Sequence, residues 1–189
     1  NWPIAMGKTR TGLSIFWPDD GLDEGPMMLQ KTCEIGPDET LGDVYFKKLF
    51  PMGVDAMIEG LELVKAGVII KHNQRLEDGS YESWFGKAAA KIDWSKPAAD
   101  IYNIIRAANP APGAWTTIGG SELKIYDSAR VDGTGTAGQV VSVNEDGVTV
   151  QAEGGRILIK RVRPADGSKT AASEWAAAAG INSGTKLGS

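Results

Sequence analysis

The chain has 189 residues, 42% of them hydrophobic and 23% charged, enough to bury a sizeable core and suited to a soluble globular protein of one or two domains. A formal charge of -4 lacks the overall basic signature of a nucleic-acid binder, and no apolar run approaches the roughly 18 residues that a membrane span needs. One cysteine, Cys33, excludes an intramolecular disulfide, fits a reducing cytoplasmic setting and reads as a small apolar filler; a single histidine, His72, excludes a multi-histidine metal site.

Residues 1–90 carry 9 Lys/Arg against 14 Asp/Glu, and residues 91–189 carry 11 against 10. The opening stretch Asn1-Trp2-Pro3-Ile4-Ala5-Met6-Gly7 has no basic-then-apolar leader pattern. It reads as the interior of an element, so a fragment or processed piece of something longer is expected. Thr11 to Trp17 then predicts a strand, and Met27 to Ile35 a second. Between them lies Asp19-Asp20-Gly21-Leu22-Asp23, three carboxylates packed around a glycine. Such a turn delivers Asp23 to the rim of a sheet, where open α/β sheets place ligand sites. Taken locally, however, Asp and Gly form solvated turns for purely conformational reasons.

Pro37-Asp38-Glu39-Thr40 supplies helix-start chemistry, with Asp38 or Thr40 able to accept from unpaired backbone N–H groups. Leu41, Val44, Tyr45, Leu49, Val54, Met57, Ile58, Leu61 and Val64 recur at helical spacing, predicting one buried face as far as Gly67. Pro51 should kink or split that helix. The segment to about residue 90 is polar and irregular, with a turn at Asp78-Gly79, and reads as a linker.

A second unit begins near Lys91. Ile101, Ile104 and Ile105 predict a helix that ends before Asn109-Pro110. Glu122 to Val131, Gly138 to Asn144, Val148 to Glu153 and Arg156 to Arg163 are β-like runs, with hairpin signals at Glu145-Asp146-Gly147 and Gly154-Gly155. A helix over 171–179 closes the pattern. The Gly-rich stretch 133–138 lacks a following helix and reads as a loop between strands, not a phosphate cradle. Arg156, Lys160, Arg161 and Arg163 form a basic cluster that reads equally well as solvated charge.

A carboxylate at a strand-end turn can act as general base towards an amine or water. Acyl transfer also needs donors for the oxyanion and a proton for the leaving nitrogen, and neither is visible in the chain.

The run Thr11-Gly12-Leu13-Ser14-Ile15-Phe16-Trp17-Pro18-Asp19-Asp20-Gly21-Leu22-Asp23-Glu24-Gly25-Pro26 resembles the signature of the 10-formyltetrahydrofolate-dependent formyltransferases. The resemblance continues through Lys91-Ile92-Asp93-Trp94-Ser95-Lys96-Pro97, Ile105-Arg106-Ala107 and Pro112-Gly113-Ala114-Trp115-Thr116 to the tail at Gly184-Thr185-Lys186-Leu187-Gly188. It implies an α/β plus β fold: the end of a Rossmann-like catalytic domain (residues 1–67) with a long helix, a linker (68–90), and a small OB-like antiparallel barrel (91–189). It also implies Asp23 as the catalytic base, Asp19, Asp20, Gly21 and Leu22 as the wall of the folate pocket, 10-formyltetrahydrofolate as formyl donor, and no metal. The implied acceptor is water or a small amine, ranked ahead of tRNA because the second unit's charge balance gives little support for polyanion binding. The family's Asn and its His-Pro motif lie upstream of this signature and have no counterpart here, since His72 falls downstream. A missing upstream half is therefore an expected partner, and the chain alone is expected neither to bind folate tightly nor to turn over. The competing reading is a non-catalytic binding or oligomerisation module.

Overall fold

A computed structural model describes residues 1–188. They divide into two units, one formed by residues 8–84 and the other by residues 1–7 with the chain from Phe85 onward.

The first of these is built on an antiparallel hairpin. Strand β1 (Arg10–Phe16) pairs with β2 (Met27–Glu34), Arg10 opposite Glu34 and Phe16 opposite Met27, with a bulge between Ile15 and Phe16. Both strands lie within a residue of their expected bounds. Cys33 is half-buried on β2 rather than a core filler. Thr40 then caps the helical segment: its hydroxyl accepts from the Asp43 N–H, and the Asp43 carboxylate accepts in return from the Thr40 N–H. Hydrogen bonds from Lys47 and then Thr40 hold the Asp43 carboxyl down to about 2, from an ordinary 3.8.

The helix runs as α2 (Leu41–Val44), a π turn (Tyr45–Leu49) and α3 (Phe50–Lys65), and stops where Gly67 takes φ +77. Pro51 has no N–H, and its ring opposes the carbonyl four residues back, that of Lys47, so the ladder widens at that turn. The expected buried face is a correction. Val44 is buried, but Val54 is 47% exposed, Met57 48%, Ile58 56% and Leu61 60%, with Tyr45 and Val64 also exposed. Small residues meet the hairpin instead: Ala56 and Gly60 are buried, and a Cβ on Gly60 would lie 3.1 Å from the Met28 sulfur. Close approach of helix to sheet selects small side chains, which leaves the large apolar ones on the outer faces.

In the second unit, α1 (Trp2–Ala5) buries Ile4, Trp2 meets Phe85 edge to face at 5.0 Å, and Asn1 donates to the Ala107 carbonyl at 2.7 Å. Helix α4 (Ala98–Ala107) packs on a six-stranded antiparallel sheet ordered β3 (Ala114–Ile118), β4 (Ser121–Val131), β7 (Gly155–Pro164), β6 (Gly147–Ala152), β5 (Val140–Asn144), with β8 (Thr170–Ala171) on the far end of β7. Helix α5 (Ala172–Ala179) follows. Four of these strands and both long helices lie where the sequence put them; β3 and β8 were not anticipated. The β3 and β5 edges do not pair with each other. The tail spans them instead: Gly184 donates to Val140, Leu187 to Gly138, and Gly188 to Thr117. Among the described residues no helix is long and apolar enough to cross a membrane.

With its outer helix face uncovered, the 189-residue chain is expected to bind a hydrophobic dye and to self-associate as concentration rises. Met57→Lys combined with Leu61→Lys should suppress both while changing stability by less than about 1 kcal/mol. A wild-type chain that stays monomeric and dye-free at high concentration would show that this face is not an open apolar surface.

Candidate functional site

The turn after β1 is closed by a backbone hydrogen bond from Trp17 N–H to the Pro26 carbonyl at 3.0 Å. Gly25 sits buried under it, where an added Cβ would strike the Trp17 carbonyl oxygen. Within the turn Asp19 folds back, its Oδ1 accepting from Gly21 N–H at 3.0 Å. Asp20 and Leu22 are exposed, and a Cβ on Gly21 would press on the Glu24 carboxylate. Asp23 is exposed and takes φ +59, the left-handed region, the one non-glycine to do so among the described residues. The five residues singled out from sequence are thus gathered in one turn, with Asp19 and Gly21 bonded to each other and Asp23 exposed.

Residues assigned to the linker complete the site. Met27 and His72 exchange both backbone hydrogen bonds, at 2.8 and 2.9 Å, a single antiparallel bridge that brings the returning chain to the start of β2. Trp17 Nε1 donates to the Ile70 carbonyl at 2.9 Å, and the Lys71 ammonium lies 5.9 Å from the Trp17 ring centroid. Gln74 Nε2 donates to the carbonyls of Asp23 and Gly25, each at 2.8 Å. His72 therefore acts here through its backbone, and its imidazole is exposed. A lone Gln inside a polar stretch carries no periodicity or motif signal, which is why sequence reasoning passed over it.

The Gly-rich loop 133–138 joins β4 to β5 and is pinned from inside the second unit. Gln151, 1% exposed, donates to Gly133, Ala152 and Gly155 carbonyls and accepts from Arg156 Nε at 3.0 Å, while Arg156 also reaches the Thr134 carbonyl. Arg156 thus leaves the expected basic cluster. Bulges at Tyr126 on β4 and at Lys160 on β7 turn Lys160 and Arg161 outward. Arg161, Arg163, Lys124 and Lys169 gather near Tyr126, with the Lys169 ammonium 3.6 Å from the ring centroid. Burial, then Arg163 and Arg161, push the Lys169 pKa down. Among the described residues none of these four forms a salt bridge.

Two family descriptions match the chain: "Formyl transferase" over residues 1–60 and "Formyl transferase, C-terminal domain" over residues 85–180. The cytosolic 10-formyltetrahydrofolate dehydrogenase of Xenopus tropicalis is 34% identical over 186 residues, covering 93% of this chain and 21% of that protein. The methionyl-tRNA formyltransferase of Trichlorobacter lovleyi is 35% identical over 187 residues, covering 99% of this chain and 59% of that protein. The chain thus spans between a fifth and three-fifths of these relatives. Among solved structures, HypX from Aquifex aeolicus in complex with tetrahydrofolic acid superposes with a TM-score of 0.70 at 17% identity, over 93% of this chain and 31% of that one, a likeness of fold.

Gly25→Ala is expected to open the turn, because the new methyl must displace backbone rather than a flexible side chain. The expected cost is roughly 1–3 kcal/mol in denaturant unfolding, with faster amide exchange at Trp17. A variant within experimental error of the parent on both counts would contradict the packing described for Gly25.

Proposed function

The chain belongs to the formyl transferase family, and from that premise we propose that it supplies the closing part of an active site for formyl transfer or hydrolysis on 10-formyltetrahydrofolate. The observation that carries the proposal is the left-handed aspartate Asp23, exposed in a turn built on the family's signature. In this reading the Asp23 carboxylate takes a proton from the attacking amine or water as its lone pair adds to the formyl carbon. The tetrahedral intermediate then collapses. Its bond to the folate nitrogen breaks, that nitrogen takes a proton, and the formyl group leaves on the acceptor, or as formate when water attacks. Asp19, Asp20, Gly21 and Leu22 line the folate side, and the chemistry calls for no metal. Donors for the oxyanion come from the upstream half of the protein.

The exposed outer face of α3 supports that partnership, since Val54, Met57, Ile58 and Leu61 offer it an apolar seat. Residues 1–67 are then the end of the catalytic domain, 68–90 the linker, and 91–189 an OB-like C-terminal domain. The strand order and the tail that spans the sheet edges are consistent with that last assignment. The lone cysteine and the absence of a long apolar helix among the described residues are consistent with a cytoplasmic enzyme.

A second reading takes tRNA as the acceptor. Lys124, Arg161, Arg163 and Lys169 favour it, because four cations without carboxylate partners retain a counterion atmosphere that a phosphate backbone would release. The overall charge of -4 still ranks water or a small amine first.

In the complete protein, Asp23→Asn should lower kcat by roughly 10²- to 10⁴-fold with little change in folate affinity; an unchanged rate would return the chain to the class of binding modules. For the acceptor, tRNA affinity should vary only weakly with salt if water or an amine is used. A slope of log K against log [salt] near about -3, reduced by about 1 in Arg163→Ala, would reverse that ranking.

A further inference from the structure

We infer that Gln74 is a positioning residue for the Asp23 turn, a role that rests on the reading of Asp23 as base. Asp23 holds a left-handed backbone conformation that a non-glycine residue rarely adopts and that persists where the surroundings over-determine it. The turn itself is exposed from Pro18 to Glu24 and buries only Gly25, so its own contacts are few. What over-determines it arrives from outside the turn.

Gln74 is half-buried while Lys71, His72 and Asn73 before it and Arg75 after it are exposed. Its single amide nitrogen gives both donors to the turn, one to the Asp23 carbonyl and one to the Gly25 carbonyl, at 2.8 Å each. Carbonyls only accept, so the amide nitrogen and not its oxygen must face them. These two bonds fix the Asp23–Glu24 and Gly25–Pro26 peptide planes, and the first fixes the carbonyl of the residue whose side chain is to act. Gln74 is itself held in place two residues beyond the Met27–His72 backbone pair and four beyond the Ile70 carbonyl that takes the Trp17 indole. The donors are thus fixed on the hairpin before the turn is added, which is what an aligned general base requires.

Gln74→Glu keeps the shape and removes both donors, and Gln74→Met removes them without adding charge. In the 189-residue chain and in the complete protein, either variant should speed amide exchange in residues 19–25 by roughly tenfold or more while leaving exchange in α4 and the β4–β7 ladder unchanged. In the complete protein kcat should fall roughly ten- to hundredfold with KM for the formyl donor changed by less than about threefold. Unchanged exchange in the turn overturns the inference. So does faster exchange with unchanged kcat, which would make Gln74 a structural tether alone. An Asp23→Asn enzyme of full activity would instead retire the reading of Asp23, whatever the exchange data say of the clamp.

Discussion

Two backbone hydrogen bonds between Met27 and His72 organise the end of the smaller unit where the proposed chemistry lies. A two-stranded hairpin leaves both outer edges unpaired and is marginal by itself. Returning the chain to the start of β2 satisfies one stretch of edge and brings Ile70 and Gln74 against the turn. Without that pair the Trp17 indole, the Asp23 carbonyl and the Gly25 carbonyl each lose the partner that faces them.

The larger unit solves a similar problem with a similar residue. Gln151 is buried and spends its amide on the Gly133 carbonyl at the start of the Gly-rich loop and on Ala152 and Gly155 at the β6–β7 turn, with Arg156 closing the network. Glutamine suits both places, because one NH₂ group can satisfy two carbonyls at once and carries no charge to desolvate. In each case a glutamine side chain from a neighbouring segment adds to the irregular segment's own few hydrogen bonds.

Strands β1, β2, β4, β5, β6 and β7 were legible in the sequence because their apolar runs are bounded by Gly or Asp-Gly turns, and α4 because its isoleucines recur at helical spacing. The short strand β3 was not, since Trp115-Thr116-Thr117 sits between Pro112-Gly113 and Gly119-Gly120 with no alternation to mark it. The face of α3 was misread for a physical reason: periodicity rewards large apolar residues, whereas the hairpin accepts Gly53, Ala56 and Gly60, which have almost no hydropathy signal. Asp23 stood out from its place at a strand-end turn, where a solvated acidic turn competed with a catalytic one, and the family signature decided between the two. Gln74 could not be reached from sequence at all, because its partners are backbone atoms some fifty positions away.

The π turn over Tyr45–Leu49 acts as a phase setter for everything after it. Each residue of an α-helix advances the side chains by about 100°, so the widened turn decides which longitude of α3 meets the hairpin. A π turn takes up one extra residue, so deleting one residue there would restore a regular α-helix and leave Ala56 and Gly60 facing Met28, whereas winding all five residues as α-helix would rotate them away. A one-residue deletion just past Gly67 would instead pull Ile70, His72 and Gln74 out of register with Trp17, Met27 and the Asp23 turn. The two sides of Gly67 therefore tolerate a lost residue differently: the π turn can give one up without moving the helix face, whereas the returning chain cannot without moving the donors that hold the turn.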